Sequence, residues 1–446
     1  MDAGFFSWPL PGQPIMGGLP YARAMDFHRY VAENEIPLDT VDPAAPLDDL
    51  DPFAERLAAA RVIAIGENAH LVREFYQLRH RMHRFLTQRL GFTAYAMETG
   101  FSEGFAVDAW VRGQRAVDDL RKVADDGITY TMGRCQEMRD HLTWMRTAVP
   151  PVRFFGLDVP GSTASPLPAI EGLRRYLRQV DPDAEPVLGL LAVLAGKYAG
   201  EHSLPAYTAY SSLDAAERDR ITAAWAELAA RFDALEPEYR AASDTESYAI
   251  ARHELRLAVL LDQAMRGYAA QVGSDGGIPT VHPKVATRDR GMAETVFWLL
   301  DHLGPDTKII VAAHNSHIQR TPVHTPAFPL SAAGHHLATR LGSEYLSVGV
   351  TCTGGRTVTH RPDPATPGGV ATFDTELSTP EAGSIEAALP ERLCAVDLRP
   401  ARVAGVSGKP DRIRVIDRYQ QAPIVDAFDI MINVPEITPT NQVSNP

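Results

Sequence analysis

Two short, continuously apolar segments lie far apart in the chain, and each ends in a cluster of polar residues. The run at 62–65 is followed by the segment GENAH at 66–70, and the run at 309–313 is followed by HNSH at 314–317. Continuous apolar runs of this length are typical of strands covered on both faces. Because ligands bind outside the carboxyl ends of strands in open α/β sheets, the two polar clusters predict one shared site.

Helical and strand patterns alternate around the first of these runs. Apolar residues at helical spacing over 72–90 stop at Gly91, and a strand is expected at 92–97. Such alternation implies parallel pairing, since parallel strands need a crossover connection. Further strands are expected at 152–158, 308–313, 345–350 and 412–417, with a hairpin turn at Gly354-Gly355. The pattern therefore predicts an α/β fold with a central, mostly parallel sheet flanked by helices.

A long helical block interrupts this alternation. Helical spacing over 168–181, 185–199, 213–233 and 236–272 predicts a helical insertion at about 168–272. Four aromatic residues of this block either line an apolar cleft or belong to an ordinary core. These residues are Tyr198, Tyr207, Tyr210 and Trp225.

The two ends of the chain differ from this central part. Residues 1–24 are rich in Gly and Pro and predict an extended arm, while residues 436–446 are expected to form a loose tail. One domain at 25–435 is expected between them.

Composition narrows the classes of function. The net charge of -13 argues against a nucleic-acid partner, because phosphate binding relies on clustered Lys and Arg. No apolar run approaches the roughly 18 residues of a membrane span, and the first residues lack a secretory signal, so we expect a cytoplasmic protein without a membrane partner. Three widely spaced cysteines predict neither a disulfide framework nor a cysteine zinc site. Dinucleotide and Walker motifs are absent from the sequence, and no cofactor is expected.

Two glutamates follow neighbouring predicted strands. Glu67 stands in the turn between a strand and a helix, where it has the chemistry of a general base or of a helix cap. Glu98 ends the strand before residues 99–104 and is expected at the same sheet edge. A carboxylate pair in one cleft separates acid and base roles. The structural alternative for Glu98 is an ion pair with Arg79 on the intervening helix.

Three histidines accompany the glutamates. His70 follows Glu67 by three residues, and His317 follows His314 by three, so each motif has the spacing to direct side chains into one pocket. His70 and His317 are the favoured functional pair. A metal shell of these three histidines and one Glu is the alternative, but the spacing matches no helical metal motif, and we predict no metal.

Serine chemistry is a further alternative. Residues 100–104 (GFSEG) fit the pattern of a nucleophile elbow and follow a predicted strand. Asp158 and then His314 or His317 complete a Ser, Asp, His order along the chain. Ser102 is therefore either a nucleophile or a plain turn residue.

With these motifs in hand, the chain resembles the erythromycin esterase family, whose members hydrolyse macrolide lactones. The resemblance runs from about residue 25 to about residue 433. It rests on the segments GENAH (66–70), REF (73–75), LRH (78–80), ETGFSEG (98–104), FGLDVP (155–160), RDRGMA (288–293) and AHNSHIQ (313–319).

The resemblance implies a fold and a mechanism. Helical additions to the α/β core would enclose a deep cleft, and hydrolysis would proceed without a metal. Glu67 or His70 would activate water, and His317 would position the water or the carbonyl group.

Supporting roles also follow from the resemblance. Glu98 and Arg79 would form the second carboxylate and its partner, His314 would complete the wall, and Arg288 and Asp158 would support the substrate. The donor for the oxyanion stays open between Arg79, a protonated histidine and backbone N–H groups.

We therefore predict a hydrolase that cleaves an ester or lactone, macrolide-like or of another natural product, with Glu67 as the base. Antibiotic inactivation is the narrower expectation. A biosynthetic enzyme that uses the same pocket for cyclisation, elimination or acyl transfer is the second hypothesis. A binding protein without turnover is the third.

Overall fold

The computed structural model describes residues 25–272, 282–325, 329–366, 368–403 and 405–443. The predicted N-terminal arm at 1–24 lies outside the described residues. Within these ranges the strands are β1 (Glu35–Pro37), β2 (Val62–Ile65), β3 (Ala94–Gly100), β4 (Arg153–Asp158), β5 (Ile309–Ala312), β6 (Tyr345–Pro362), β7 (Val370–Glu376), β8 (Cys394–Asp397), β9 (Arg412–Val415), β10 (Arg418–Gln421) and β11 (Ile430–Ile437).

The main sheet has the order β1-β8-β11-β6-β2-β5-β3-β4. The six strands from β11 to β4 pair in parallel, whereas β1 and β8 are antiparallel at one edge and β7 pairs antiparallel with the second half of β6. This confirms the predicted α/β fold with a mostly parallel sheet.

Helices cover both faces of this sheet. They are α1 (Phe27–Asn34), α2 (Ala54–Leu57), α3 (Arg73–Leu90), α4 (Phe101–Val111), α5 (Leu120–Gly127), α6 (Gln136–Thr147), α7 (Leu167–Val180), α8 (Glu185–Ala195), α9 (Ser203–Ser211), α10 (Ala215–Ala234), α11 (Glu236–Ala242), α12 (Thr245–Val272), α13 (Thr287–His302), α14 (Asn315–Ile318), α15 (Ala333–Leu341), α16 (Ile385–Ala388), α17 (Arg399–Val403) and α18 (Ile424–Ala427). Over the described ranges, none of these helices has the length and apolarity needed to cross a membrane.

Strand β2 shows why its sequence is apolar throughout. Ile63 and Ile65 belong to the core on one face of the sheet, which also contains the apolar side of α3. Val62 and Ala64 belong to the core on the other face, together with residues of α13. Both sides of the strand are buried, as the continuous run predicted.

Helices α7 to α12 fill the connection between β4 and α13, which precedes β5, and they form a third core. Tyr198, Tyr210 and Trp225 are buried in this core, which confirms the interpretation of these three as core residues. Tyr207 instead reaches Thr163, with 2.6 Å between their hydroxyl oxygens. The segment predicted as one helix over 236–272 is two helices, because Asp244 accepts the Ser247 N–H and begins α12.

Three predictions about the last third of the chain are wrong. Gly354-Gly355 is not a hairpin turn, since β6 continues to Pro362 and the chain returns after residue 369 as β7. Gly355 has a φ of 104°, and a Cβ there would lie 2.2 Å from the carbonyl oxygen of Ile437. The glycine therefore permits a close approach of β6 to β11.

The segment at 412–417 does not join the main sheet, because β9 pairs with β10 in a separate two-stranded sheet. The main sheet is completed by β8 and β11, which the sequence pattern missed. The tail is not loose up to residue 443. The carbonyl of Thr438 accepts the Arg73 N–H at 2.9 Å, and the Val443 N–H is donated to Arg134 at 3.0 Å.

Gly156 tests the contact between β4 and the end of β3, where α4 begins. A Cβ on Gly156 would lie 2.0 Å from the carbonyl oxygen of Gly100, which is backbone and has little freedom to move. Gly156→Ala should therefore destabilise the fold by about 1–3 kcal/mol, as overpacking does. Gly189→Ala in α8 is the matched control, because no atom lies within 4 Å of the new methyl group. It should stabilise the fold by about 0.5–1 kcal/mol.

Urea unfolding midpoints of the native protein and both variants provide the measurement. Equal midpoints for Gly156→Ala and the native protein would show that the two elements are not packed this closely.

Candidate active site

Four neighbouring strands deliver polar residues to the same edge of the sheet. In the order β2-β5-β3-β4 all pairings are parallel, so the four carboxyl ends lie side by side. Glu67 follows β2, His314 follows β5, Glu98 is near the end of β3 and Asp158 ends β4. The predicted convergence of the two polar clusters is thus found in the structure.

Glu67 is held between a cation and an imidazole. One carboxylate oxygen accepts a hydrogen bond from Arg79 of α3, and the other lies 2.8 Å from Nδ1 of His70. Leu71, with a φ of 58°, reverses the chain after His70 and returns this side chain towards Glu67. The Glu67 side chain is only 2% exposed, whereas that of His70 is 28% exposed. His70 is therefore the member of this pair that a substrate can reach.

Glu98 collects three hydrogen-bond donors. Its Oε1 lies 2.9 Å from Nη2 of Arg288 and 3.3 Å from Nε2 of His317, and its Oε2 accepts the backbone N–H of His314 at 2.8 Å. The predicted pairing of Arg79 with Glu98 is wrong, because Arg79 is bound to Glu67. Arg288, from α13, takes that place.

Two further carboxylates, Asp158 and Asp289, bind Arg288 and His317. Asp158 is fully buried and accepts hydrogen bonds from Nε and Nη2 of Arg288 at 3.0 and 2.7 Å. Asp289 lies 2.8 Å from Nδ1 of His317 and also accepts the Ala333 N–H at 3.0 Å. Sequence reasoning missed Asp289. Its position directly after Arg288, at the start of a helix, was the available signal.

His314 is a neutral wall residue. Its Nε2 donates to the carbonyl of Asn68 at 2.9 Å, and its Nδ1 accepts the Ser316 N–H at 3.1 Å. Burial, together with the nearby charge of His70, lowers the pKa of His314 to about 4. The imidazole edge of His314 packs against the His70 ring, with 5.7 Å between the centroids.

Ser102 does not belong to this cluster. It lies on α4 near the carboxyl group of Glu254, whose pKa burial raises to about 7. The proposed triad is wrong, because Asp158 binds Arg288, and both candidate histidines have other partners. The GxSxG spacing has a packing cause, since a Cβ on Gly104 would lie 2.4 Å from the backbone nitrogen of Gly156.

The charges in the site fix its protonation states. Burial alone would raise the pKa of Glu67 and Glu98. Arg79 and His70 together outweigh burial at Glu67, and His317, His70 and Arg288 outweigh it at Glu98, so both pKa values are lowered. Burial opposes protonation of His317, yet Asp289 and Glu98 raise its pKa to about 10. Burial also opposes protonation of His70, whose pKa is nonetheless raised by Glu98 and Glu67.

A metal-binding arrangement is not found in the described ranges of the chain, where no group of three or more His, Cys, Asp or Glu side chains is placed to hold an ion. The imidazoles and carboxylates of the site are instead paired with one another and with arginines. The arrangement has the chemistry of proton transfer, with one reachable imidazole and two neighbouring cations.

The raised pKa of His317 predicts a pH-dependent contribution to stability. Its folded pKa of about 10 lies above the ordinary 6.5, so the contribution is complete below pH 6.5 and is lost as the pH rises towards 10. The gap in unfolding free energy between the native protein and His317→Gln should therefore narrow between about pH 6 and about pH 10. Urea titrations across this range measure the gap, and a constant gap would contradict the assignment.

Comparison with known proteins identifies the family of the chain. Residues 87–437 match the erythromycin esterase family. Erythromycin esterase type II from Escherichia coli is 29% identical over 418 residues, which cover 91% of this chain and 96% of that protein. Erythromycin esterase type I from Escherichia coli is 23% identical over 387 residues, covering 85% and 91% respectively.

Solved structures share the fold. An erythromycin esterase mutant in its open conformation superposes with a TM-score of 0.78 at 20% identity, covering 91% of this chain and 98% of that one. A Bacillus cereus protein gives a TM-score of 0.73 at 20% identity, covering 94% and 98%. Because the family match spans well over half of its length, the chain belongs to the erythromycin esterase family.

Proposed function

We propose that this protein hydrolyses a lactone or another ester of a bulky natural product, with His70 as the base that activates water. The observation that carries the proposal is the pairing of His70 with Glu67. Nδ1 of His70 lies 2.8 Å from a carboxylate that is almost fully buried, while the imidazole itself is partly exposed at the strand ends.

Neutral His70 takes a proton from water at Nε2, which lies 3.8 Å from Glu98. The Nδ1–H of the ring stays hydrogen-bonded to Glu67, whose charge stabilises the imidazolium that forms. The resulting hydroxide adds to the ester carbonyl, and the tetrahedral intermediate expels the alkoxide. His70 returns its proton to that oxygen, so the products are a carboxylic acid and an alcohol.

This mechanism differs from the expectation that Glu67 itself removes the proton. Both oxygens of Glu67 are occupied, by Arg79 and by His70, and its lowered pKa makes it a weak base. The geometry therefore favours Glu67 as the group that orients His70 and compensates its charge.

The oxyanion needs donors that are charged and near the reacting carbonyl. Arg79 is 1% exposed and bound to Glu67, so it is placed behind the reacting groups. His317 is protonated at neutral pH, and Arg288 lies beside it, with 3.4 Å between Nη1 and Nε2 of the imidazole. We assign the oxyanion to Nη1 of Arg288, whose bonds to Asp158 and Glu98 use only Nε and Nη2, with the charge of His317 beside it.

The curated relatives are named as erythromycin esterases, which supports a macrolide lactone as the first substrate to test. The protein should convert erythromycin to a product heavier by one water, detected by mass spectrometry. Exhaustive chelation should leave the rate unchanged, since the proposed mechanism uses no metal. An isomerised or dehydrated product would favour a biosynthetic reaction, and binding without any product would favour a binding protein.

The pH dependence distinguishes the two candidate bases. The pKa of His70 is raised above 6.5, so with His70 as base kcat/KM should rise with pH through an apparent pKa above that value. The pKa of Glu67 is lowered below 4.5, so with Glu67 as base kcat/KM should already be level by about pH 6. A pH–rate profile of the native enzyme makes the decision without any variant.

Replacement of the base tests the same assignment directly. His70→Gln should lower kcat by about 10²–10⁴-fold, the usual contribution of a general base. His28→Gln on the exposed side of α1 is the matched control and should keep native activity. Steady-state rates are compared after urea unfolding has shown that each variant is folded. Native turnover by folded His70→Gln would remove His70 from the mechanism.

A further inference from the structure

Strained backbone is concentrated around the site. Among the residues that the structure describes, six non-glycine residues have positive φ, and they are Leu71, Tyr130, Thr131, Ser162, Thr163 and Ile416. Leu71 directly follows His70, the segments at 130–131 and 162–163 are joined by hydrogen bonds, and the Ile416 N–H donates to the carbonyl of Asn68. Such conformations are unfavourable for residues with a Cβ and persist only where surrounding contacts impose them.

Two of the strained segments hold each other. The hydroxyl of Tyr130 donates to the carbonyl of Ser162 at 2.7 Å, and the hydroxyls of Thr129 and Ser162 are 2.7 Å apart. The second segment is itself anchored, because the N–H of Gly161 donates to the carboxyl group of Glu103 at 2.8 Å. Tyr130 therefore has a fixed backbone and a fixed hydroxyl.

The ring of Tyr130 lies along the imidazole of His70. Their centroids are 6.2 Å apart and their planes differ by only 14°. On another side, His314 meets His70 edge-on at 66°. With Nδ1 bound to Glu67, the imidazole has one phenol ring, one imidazole edge and one carboxylate as neighbours. Tyr130 thus lies along one face of the ring whose Nε2 is 3.8 Å from Glu98.

We propose that Tyr130 is a positioning residue, whose strained segment holds His70 in the orientation that directs Nε2 towards Glu98 and the reacting water. The inference rests on the proposed function, in which His70 is the base. It adds that the unfavourable backbone at 130 is retained because the phenol ring is needed at that place.

Two substitutions distinguish the contribution of the phenol ring from that of the backbone strain at residue 130. Tyr130→Phe keeps the ring and loses the hydrogen bonds of the hydroxyl to Ser162 and Ser203, so kcat should stay close to that of the native enzyme. Tyr130→Asn removes the ring and relieves strain, because Asn tolerates positive φ. A misplaced catalytic group costs about 100-fold in rate, and we expect a loss of this order in kcat for Tyr130→Asn, with KM little changed.

A measurement made without substrate tests the role of Tyr130 independently of the proposed hydrolysis. The imidazole signals of isotope-labelled histidines are titrated by NMR, and His70 is assigned by its absence in His70→Gln. The pKa of His70 should fall towards 6.5 in Tyr130→Asn, as the ring leaves the two glutamates, and should stay raised in Tyr130→Phe. If no ester is hydrolysed, the proposed function fails while this titration still decides the role of Tyr130.

Gly189→Ala in α8 is the control, because no atom lies within 4 Å of the added methyl group, and it should leave both kcat and the pKa of His70 unchanged. An unchanged pKa of His70 and native kcat in Tyr130→Asn would overturn the proposal. Equal losses of kcat and of the urea midpoint in Tyr130→Phe and Tyr130→Asn would also overturn it, since they would indicate a purely structural role.

Discussion

Charge compensation at the carboxyl ends of four parallel strands is the constraint on which the site depends. A buried carboxylate without a partner costs several kcal/mol. Glu67, Glu98 and Asp158 are all almost fully buried, and two arginines compensate them. The parallel sheet brings the acids together, and it is stable in this form only because helices supply the cations. The position of every imidazole in the site follows from these pairs.

The two arginines come from two different helices, α3 and α13. Arg79 lies in α3, directly after β2, and therefore approaches Glu67 of the same strand-to-helix unit. Arg288 lies in the first turn of α13 and bridges Glu98 and Asp158, which follow the neighbouring strands β3 and β4. Each helix thus fixes the ends of particular strands. Because these partners are committed to each other, the proposed mechanism assigns proton exchange with a substrate to His70, the more exposed side chain.

The sequence was sufficient for the sheet and for the convergence of the polar clusters. Residues 62–65 and 309–313 were readable as strands because both faces are covered, and parallel pairing then placed Glu67, Glu98 and His314 at one edge. The partner of Arg79 was not predictable in this way, since it depends on the rotation of α3 over the sheet. Asp289 was missed for a related reason. An acid in the first turn of a helix is commonly a dipole or capping feature, and only the folded chain brings it to His317.

The assignment of the base also required burial, which a sequence pattern does not contain. The sequence favoured Glu67 as the base, with His70 as the alternative that the resemblance implied, but only His70 has a partly exposed side chain. The errors in the last third have a different origin. Gly354 and Gly355 carry a turn composition, yet close backbone packing against β11 uses the same residue type.

The backbone preference of single residues and the contacts of the folded chain disagree most strongly at residues 130–131 and 162–163. The residue types found there show that the contacts prevail. Glycine would adopt the positive φ at 130, 162 and 163 without strain. The chain instead has Tyr130 against the His70 ring, Ser162 bonded to Thr129, and Thr163 bonded to Tyr207 of the helical insertion. Each side chain makes a contact that glycine lacks. The strained turns therefore connect the insertion, through Thr163, Ser162 and Tyr130, to the imidazole of His70. If Tyr130 positions His70 as proposed, the packing of helices α7 to α12 onto the sheet contributes to the orientation of the imidazole.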